Sequence, residues 1–177
     1  KVKELVDSGT IGKIVTVNLT EQVGWWHQAH SFVRGNWGNE SRSTFMLLAK
    51  SCHDIDYIHY LIGERCLSVS SYGSLSYFRP ENAPPGAGEC CIECPIERSC
   101  HYSAIRHYVD ADRTCWPADV VSLVHSREAH LEAIRTGPYG RCVWKCDNDV
   151  VDHQTVNMLF EDNVTAVFTM VGLSRDC

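Results

Sequence analysis

The sequence predicts an α+β domain: a largely antiparallel or mixed open β-sheet with helices packed on one face. Three observations predict it. Period-two runs of apolar residues recur along the chain and outnumber the long helical stripes. The longest helical stripe, near residue 50, is amphipathic and so needs a sheet to cover. The last two period-two runs are separated only by the polar turn Glu161-Asp162-Asn163, which demands an antiparallel pair.

Taken in order, Val2 to Val6 reads as the end of a short helix closed at Ser8-Gly9. From Lys13 to Gln22, Val15, Val17 and Leu19 alternate with Ile14, Thr16, Asn18 and Thr20, which predicts a strand. Residues 24 to 44 lack a period but are dense in Trp, His, Arg and Asn, the composition of a binding loop. Phe45 to Leu61 is predicted as one helix, with Leu48, Cys52, Ile55, Ile58 and Leu61 on one stripe and Gly63 as its stop. Leu67 to Phe78 returns to strand character. The prolines and glycines of Arg79 to Glu89 mark a surface excursion. Cys90 to Cys100 forms a cysteine knuckle, Ser99 to Tyr108 a short helix, and Arg127 to Arg135 a helix stopped by Gly137-Pro138. Val150 to Phe160 and Val164 to Val171 form the closing strand pair.

The 177 residues suit one domain, able to bury roughly two-thirds of the surface of the unfolded chain. A hydrophobic share of 44% and a charged share of 21% are ordinary for a globular protein, and no apolar run is long enough to span a bilayer. The net charge of −6, with Lys and Arg scattered, argues against a nucleic-acid partner. The chain starts at Lys1 without a leader, so a fragment of a longer protein is expected. Sequons at Asn18, Asn39 and Asn163 are common chance tripeptides, and a reducing cytoplasmic location is preferred.

Four groups of residues could carry chemistry. On the predicted helix, Lys50, His53, Asp56 and Tyr57 recur at spacings of three and four and share a side. A histidine there can exchange a proton, with Lys50 or Asp56 tuning it; a solvated polar cluster is the plain alternative. In the loop, Arg34 and Asn36 can bond hydroxyl or carboxylate oxygens, while Trp25, Trp26 or Trp37 can stack on a sugar face, with His27 and His30 nearby. Anchoring of the loop into the core is the competing account. Asp147, Asp149, Asp152 and His153 crowd together, which needs a ligand, a cation or hydrogen bonds if they are buried. A strand over these residues would point Asp152 and His153 to opposite faces. Finally, Cys91-x-x-Cys94 with Cys100 can clasp a structural zinc. A fourth ligand would come from His101, Cys115, Cys142 or Cys146, and free thiols or a disulfide compete with this reading. Neither a GxGxxG turn, nor a Walker A loop, nor a Gly-x-Ser-x-Gly elbow occurs.

These residues carry a resemblance. Gly9-Thr-Ile-Gly12-Lys-Ile-Val, Ser31-Phe-Val-Arg-Gly-Asn-Trp37, Lys50-Ser-Cys-His-Asp-Ile-Asp56 with Leu61-Ile-Gly63, and Arg141 through His153 together resemble the C-terminal domain of the Gfo/Idh/MocA oxidoreductases. The resemblance implies that residues 1–177 form a substrate-binding and oligomerisation domain, with an N-terminal Rossmann domain outside this chain holding NAD or NADP. It implies an activity on a hydroxyl of a sugar, cyclitol or related polyol. His53 would accept the hydroxyl proton and Lys50 polarise the oxygen, although the family's Asp four residues before the histidine is Ala49 here. Arg34, Asn36, Trp37, His27, Asp149 and His153 would contact the substrate. Homodimers would form through the open sheet face, and the chain alone would be inert. An NAD-dependent redox glycosidase and a non-catalytic binding module remain the alternatives.

Overall fold

The computed structural model describes residues 1–175, and a four-stranded mixed sheet organises them. Helix α1 (Val2–Asp7) leads through Gly9 and Gly12 to β1 (Thr16–Gly24), which starts a few residues later than its period implies. A single helical turn, α2 (Trp25–His27), runs on as a π-helix over Gln28–Arg34. Such wide turns are rare and often found at functional sites. Helices α3 (Met46–Ala49) and α4 (Cys52–Ile62) precede β2 (Cys66–Ser74). After a long excursion containing α5 (Arg127–Thr136), the chain closes with β3 (His153–Phe160) and β4 (Thr165–Ser174).

The spatial order is β1-β4-β3-β2. The β3–β4 pair is antiparallel, as expected; β2 also lies antiparallel to β3, while β1 lies parallel to β4. One face of the sheet is packed. Val156, Met158 and Phe160 alternate with solvent-facing residues on β3, Ala166, Phe168 and Met170 do so on β4, and α4 covers them with Ile58. Gly63 ends α4 with φ of 77°, a left-handed conformation that glycine enters at little cost.

The predicted single helix over Phe45 to Leu61 is two helices. Lys50 caps the first helix and Ser51 leaves helical geometry, with ψ of 12°, so Leu48 lies on the first helix and is exposed rather than joining the stripe of α4. The predicted helix over Ser99 to Tyr108 is also replaced, by a 3₁₀ turn at Glu97–Ser99 and a π-helix at Ile105–Asp110. Strand β2 ends at Ser74, short of Phe78, because Asp152 captures the backbone N–H groups of Ser76 and Tyr77 at 2.9 and 2.6 Å and draws the chain off the sheet. The excursion builds two further apolar clusters. One surrounds Phe78, Tyr102 and Trp144, and the other surrounds Tyr108 and Ile134. Helix α5 is capped by Ser126, whose hydroxyl accepts from Ala129 N–H at 3.1 Å. Beyond it, a Cβ on Gly140 would lie 1.7 Å from the Ile134 carbonyl oxygen, so only glycine fits this turn.

The other sheet face is uncovered. Its cross-strand rows run Thr16, Thr165, Leu159, Ser68; Asn18, Val167, Asn157, Ser70; Thr20, Thr169, Thr155, Tyr72; and Gln22, Val171, His153, Ser74. None of these is Asp, Glu, Lys or Arg.

Candidate active site

On β1 the side chains of Val17, Leu19 and Glu21 fall on the half-buried face, so the alternation that seats two apolar residues also delivers a carboxylate toward the helices. The break between α3 and α4 brings Lys50 to it. Lys50 Nζ donates to Glu21 Oε1 in a close ion pair, each side chain 24% exposed. Beside the pair sits His27 at the end of α2. Burial holds the His27 imidazole below its usual range, the Lys50 charge adds to this, and Glu21 opposes it. Its ring stacks on Trp26 at 5.8 Å and meets the edge of Trp116 at 4.9 Å.

Asp54 faces the same pair from the first turn of α4. Its carboxyl is raised by burial and by the Glu21 charge, against the pull of Lys50. His53, one position earlier, is exposed at the rim of this group, and Asp56 and Tyr57 further along α4 are exposed as well. Lys50 and His53 therefore do not share one helical face as a continuous helix would dictate. The result is a mixed-charge cluster, Glu21, His27, Lys50 and Asp54, with His53 at its edge. Chemically, it holds an ammonium in place and offers a second histidine that burial keeps neutral near pH 7.

The other expected residues scatter. Arg34 is 2% exposed and turned inward. Its Nε donates to the Arg141 carbonyl at 2.7 Å, and Nη2 donates to the Tyr102 carbonyl at 2.7 Å and to Cys91 Sγ at 3.4 Å. It supports the cysteine loop rather than facing solvent, which corrects its reading as a polyol contact. Asn36 and Trp37 are exposed on the following turn. Asp149 is occupied by that loop, accepting from Glu40 N–H at 2.8 Å and Asn39 Nδ2 at 3.1 Å.

His153 opens β3 on the uncovered sheet face, opposite the helices that carry His53. Asp152 precedes the strand, so strand alternation does not separate the two side chains. His153 Nδ1 lies 2.9 Å from Asp152 Oδ1, which corrects the expectation that they stand apart. Cys91, Cys94 and Cys100 line one small void together with Cys90, Cys142 and Glu97. All nine described cysteines are unpaired. Among the described residues no group of three or more His, Cys, Asp or Glu stands close enough to hold a metal ion in this arrangement.

Sequence reasoning missed Glu21, Asp54 and the anchoring role of Asp152. For Glu21 a signal existed: it continues the Val17, Leu19 parity, where a strand covered by helices expects a third apolar residue. Asp54 was visible only as part of the motif, because its facing depends on the helix break.

Comparison with known proteins follows the fold. The GFO/IDH/MocA C-terminal domain family matches residues 1–176. YteT of Bacillus subtilis (strain 168), named as an oxidoreductase, is 30% identical over 111 residues, covering 60% of this chain and 26% of that protein. Scyllo-inositol dehydrogenase from Lactobacillus casei, solved with NAD(H) and scyllo-inositol, aligns over 97% of this chain and 31% of its own, at 16% identity and TM-score 0.48. A super-repressor mutant of Gal80p from Saccharomyces cerevisiae aligns over 98% of this chain and 32% of its own, at 12% identity and TM-score 0.48. The chain thus spans roughly a quarter to a third of the length of these relatives.

Proposed function

The chain belongs to the GFO/IDH/MocA C-terminal domain family, and from that premise we propose that it is the substrate-binding half of an NAD(P)-dependent oxidoreductase acting on a hydroxyl of a sugar, cyclitol or related polyol. The observation that carries this reading is the Lys50–Glu21 ion pair set beside His27, Asp54 and the rim histidine His53.

The dinucleotide does not fit this chain. The junction from β1 into α2 reads Gly24-Trp25-Trp26, where a phosphate cradle needs successive glycines so that backbone N–H groups can approach the ligand. The cofactor belongs to a separate Rossmann domain, and the residues here handle the substrate and its proton. Glu21 holds Lys50 in place through their ion pair, so that its ammonium can polarise the substrate oxygen. His53, exposed at the edge, accepts the hydroxyl proton. His27, neutral through burial, can accept a hydrogen bond from a neighbouring hydroxyl.

Two further proposals accompany this one. The uncharged open face supports association with a second copy, since charged residues are depleted at interface cores. The unpaired cysteines support a reducing, cytoplasmic setting, and among the described residues no helix is long and apolar enough to cross a membrane.

The test assays this chain joined to its Rossmann domain for polyol-dependent reduction of NAD⁺ or NADP⁺. His53→Ala should lower kcat by about 10²–10⁴-fold, the usual worth of a general base, and leave the folded spectrum unchanged. Turnover that is indifferent to His53 and Lys50 together would refute the assignment.

A further inference from the structure

A cleft of about 690 Å³ opens where the π-helix ends, a volume within the range of small-ligand sites, roughly 300–1,000 Å³. Arg34, Asn36 and Arg42 line it from the end of that helix and the loop after it, and Arg135, Thr136 and Arg141 line it from the end of α5 and the turn beyond. Four of the eleven arginines of a chain with net charge −6 therefore border one cleft, and no Asp or Glu lines it. Glu21, His27, Lys50 and Asp54 do not line it either, so it is separate from the candidate active site.

Two of the guanidiniums are already committed. Arg141 donates Nη1 to Asp147 at 2.7 Å, Nη2 to the Arg34 carbonyl at 3.2 Å and Nε to the Pro138 carbonyl at 3.3 Å. Arg34 is buried and bonds the carbonyls of Arg141 and Tyr102 and the Cys91 sulfur. The other two have donors to spare. Arg42, 62% exposed, pairs through Nη2 with Asp147 at 2.6 Å, and Arg135, 58% exposed, pairs through Nε with Glu132 at 3.5 Å. Each keeps unused N–H groups in the planar fork that suits an oxyanion. Arg135 also offsets the dipole at the end of α5, which accounts for that arginine but not for Arg42 on a separate segment. Asp147 braces the two segments by accepting from both Arg141 and Arg42, and these hydrogen bonds hold its carboxyl down to about 2, so the brace stays ionised near neutral pH.

The charges do not cancel. Asp147 and Glu132 are the carboxylates paired with these four arginines, which leaves two positive charges over. One of them is that of Arg34, a buried cation with no carboxylate partner among the described residues, a costly arrangement without a counter-charge. A phosphoryl group carries about −1.5 to −2 charges at pH 7 and matches the surplus; a carboxylate carries half as much. We propose that this cleft binds the phosphoryl group of a small ligand, with Arg42 and Arg135 as its direct donors and Arg34 as the buried charge behind them. The binding is non-covalent and does not depend on the reaction proposed above.

The test titrates the whole chain at low salt, by calorimetry, with inorganic phosphate, glucose 6-phosphate and glucuronate. Both phosphates should bind, and glucuronate at least about tenfold more weakly. Arg42→Gln and Arg135→Gln should each weaken phosphate binding at least about tenfold, the contribution of one charge-assisted hydrogen bond. Arg127→Gln, at the opposite end of α5 and paired with Asp110, should leave it unchanged. Phosphate should also raise the Tm of the parent chain above its value in sodium chloride of equal ionic strength, a readout that needs no variant. Tighter binding of glucose 6-phosphate than of inorganic phosphate supports a sugar phosphate as the ligand, and the reverse order supports free phosphate. Neither phosphate giving heat or a Tm shift, glucuronate binding as tightly as they do, or Arg127→Gln losing as much as Arg42→Gln overturns the proposal.

Discussion

Replacing Asp152 with alanine tests how the sheet is tied to the excursion. The carboxylate is fully buried, and it accepts from Ser76 N–H at 2.9 Å, Tyr77 N–H at 2.6 Å, Ser76 Oγ at 3.1 Å and His153 Nδ1 at 2.9 Å. His153 is half-exposed and regains water when the partner is lost, and the Ser76 hydroxyl can turn elsewhere. The two backbone N–H groups cannot. At about 1–3 kcal/mol for each stranded donor, the alanine variant should lose about 4 kcal/mol. For a chain of this size that lowers Tm by about 8–16 °C. Asparagine behaves differently. Its oxygen, placed where Oδ2 stands, keeps both backbone bonds, and its amide can donate to the Ser76 hydroxyl and to the other tautomer of His153. Asp152→Asn should therefore cost about 1 kcal/mol. Urea unfolding followed by tryptophan fluorescence gives both values. An alanine variant within about 1 kcal/mol of the parent, or an asparagine variant as damaged as alanine, would refute the anchoring argument.

The fold should also be acid-sensitive through His30, which is 4% exposed, stacks on Tyr139 at 4.8 Å and bonds the Tyr108 hydroxyl at 3.1 Å. Burial, reinforced by the charges of His27 and Arg34, holds its pKa down to about 4. The unfolded chain takes up this proton first, so stability is unaffected above about pH 6.5 and falls as pH drops from there to about 4, by about 3 kcal/mol in all. His30→Gln should flatten that slope in urea titrations across the range; an unchanged slope would remove His30 as its source. On the open sheet face, Val167→Lys puts a charge at the centre of an uncharged array. It should convert a dimer to monomer in sedimentation velocity, and a parent chain that is itself monomeric at high concentration would count against that interface.

Local pattern determined much of this protein. The β3–β4 pair and its Glu161–Asn163 turn, the stop of α4 at Gly63, and α5 between Ser126 and Gly137-Pro138 all follow from preferences acting over a few residues. Lys50 and His53 could be nominated from the sequence as candidates, because ionisable side chains beside an apolar stripe announce themselves. What the sequence left open depended on contacts between distant segments. The break at Lys50-Ser51 that swings Lys50 onto Glu21, the parallel pairing of β1 with β4, the burial of Arg34 beneath the cysteine loop, and the arrival of Cys142 beside Cys91 all join residues far apart in the chain. Periodicity reports which face of an element is apolar; it carries no information about which other element will cover that face. A buried charge or thiol is set by what packs around it, and only the closed tertiary structure supplies those neighbours.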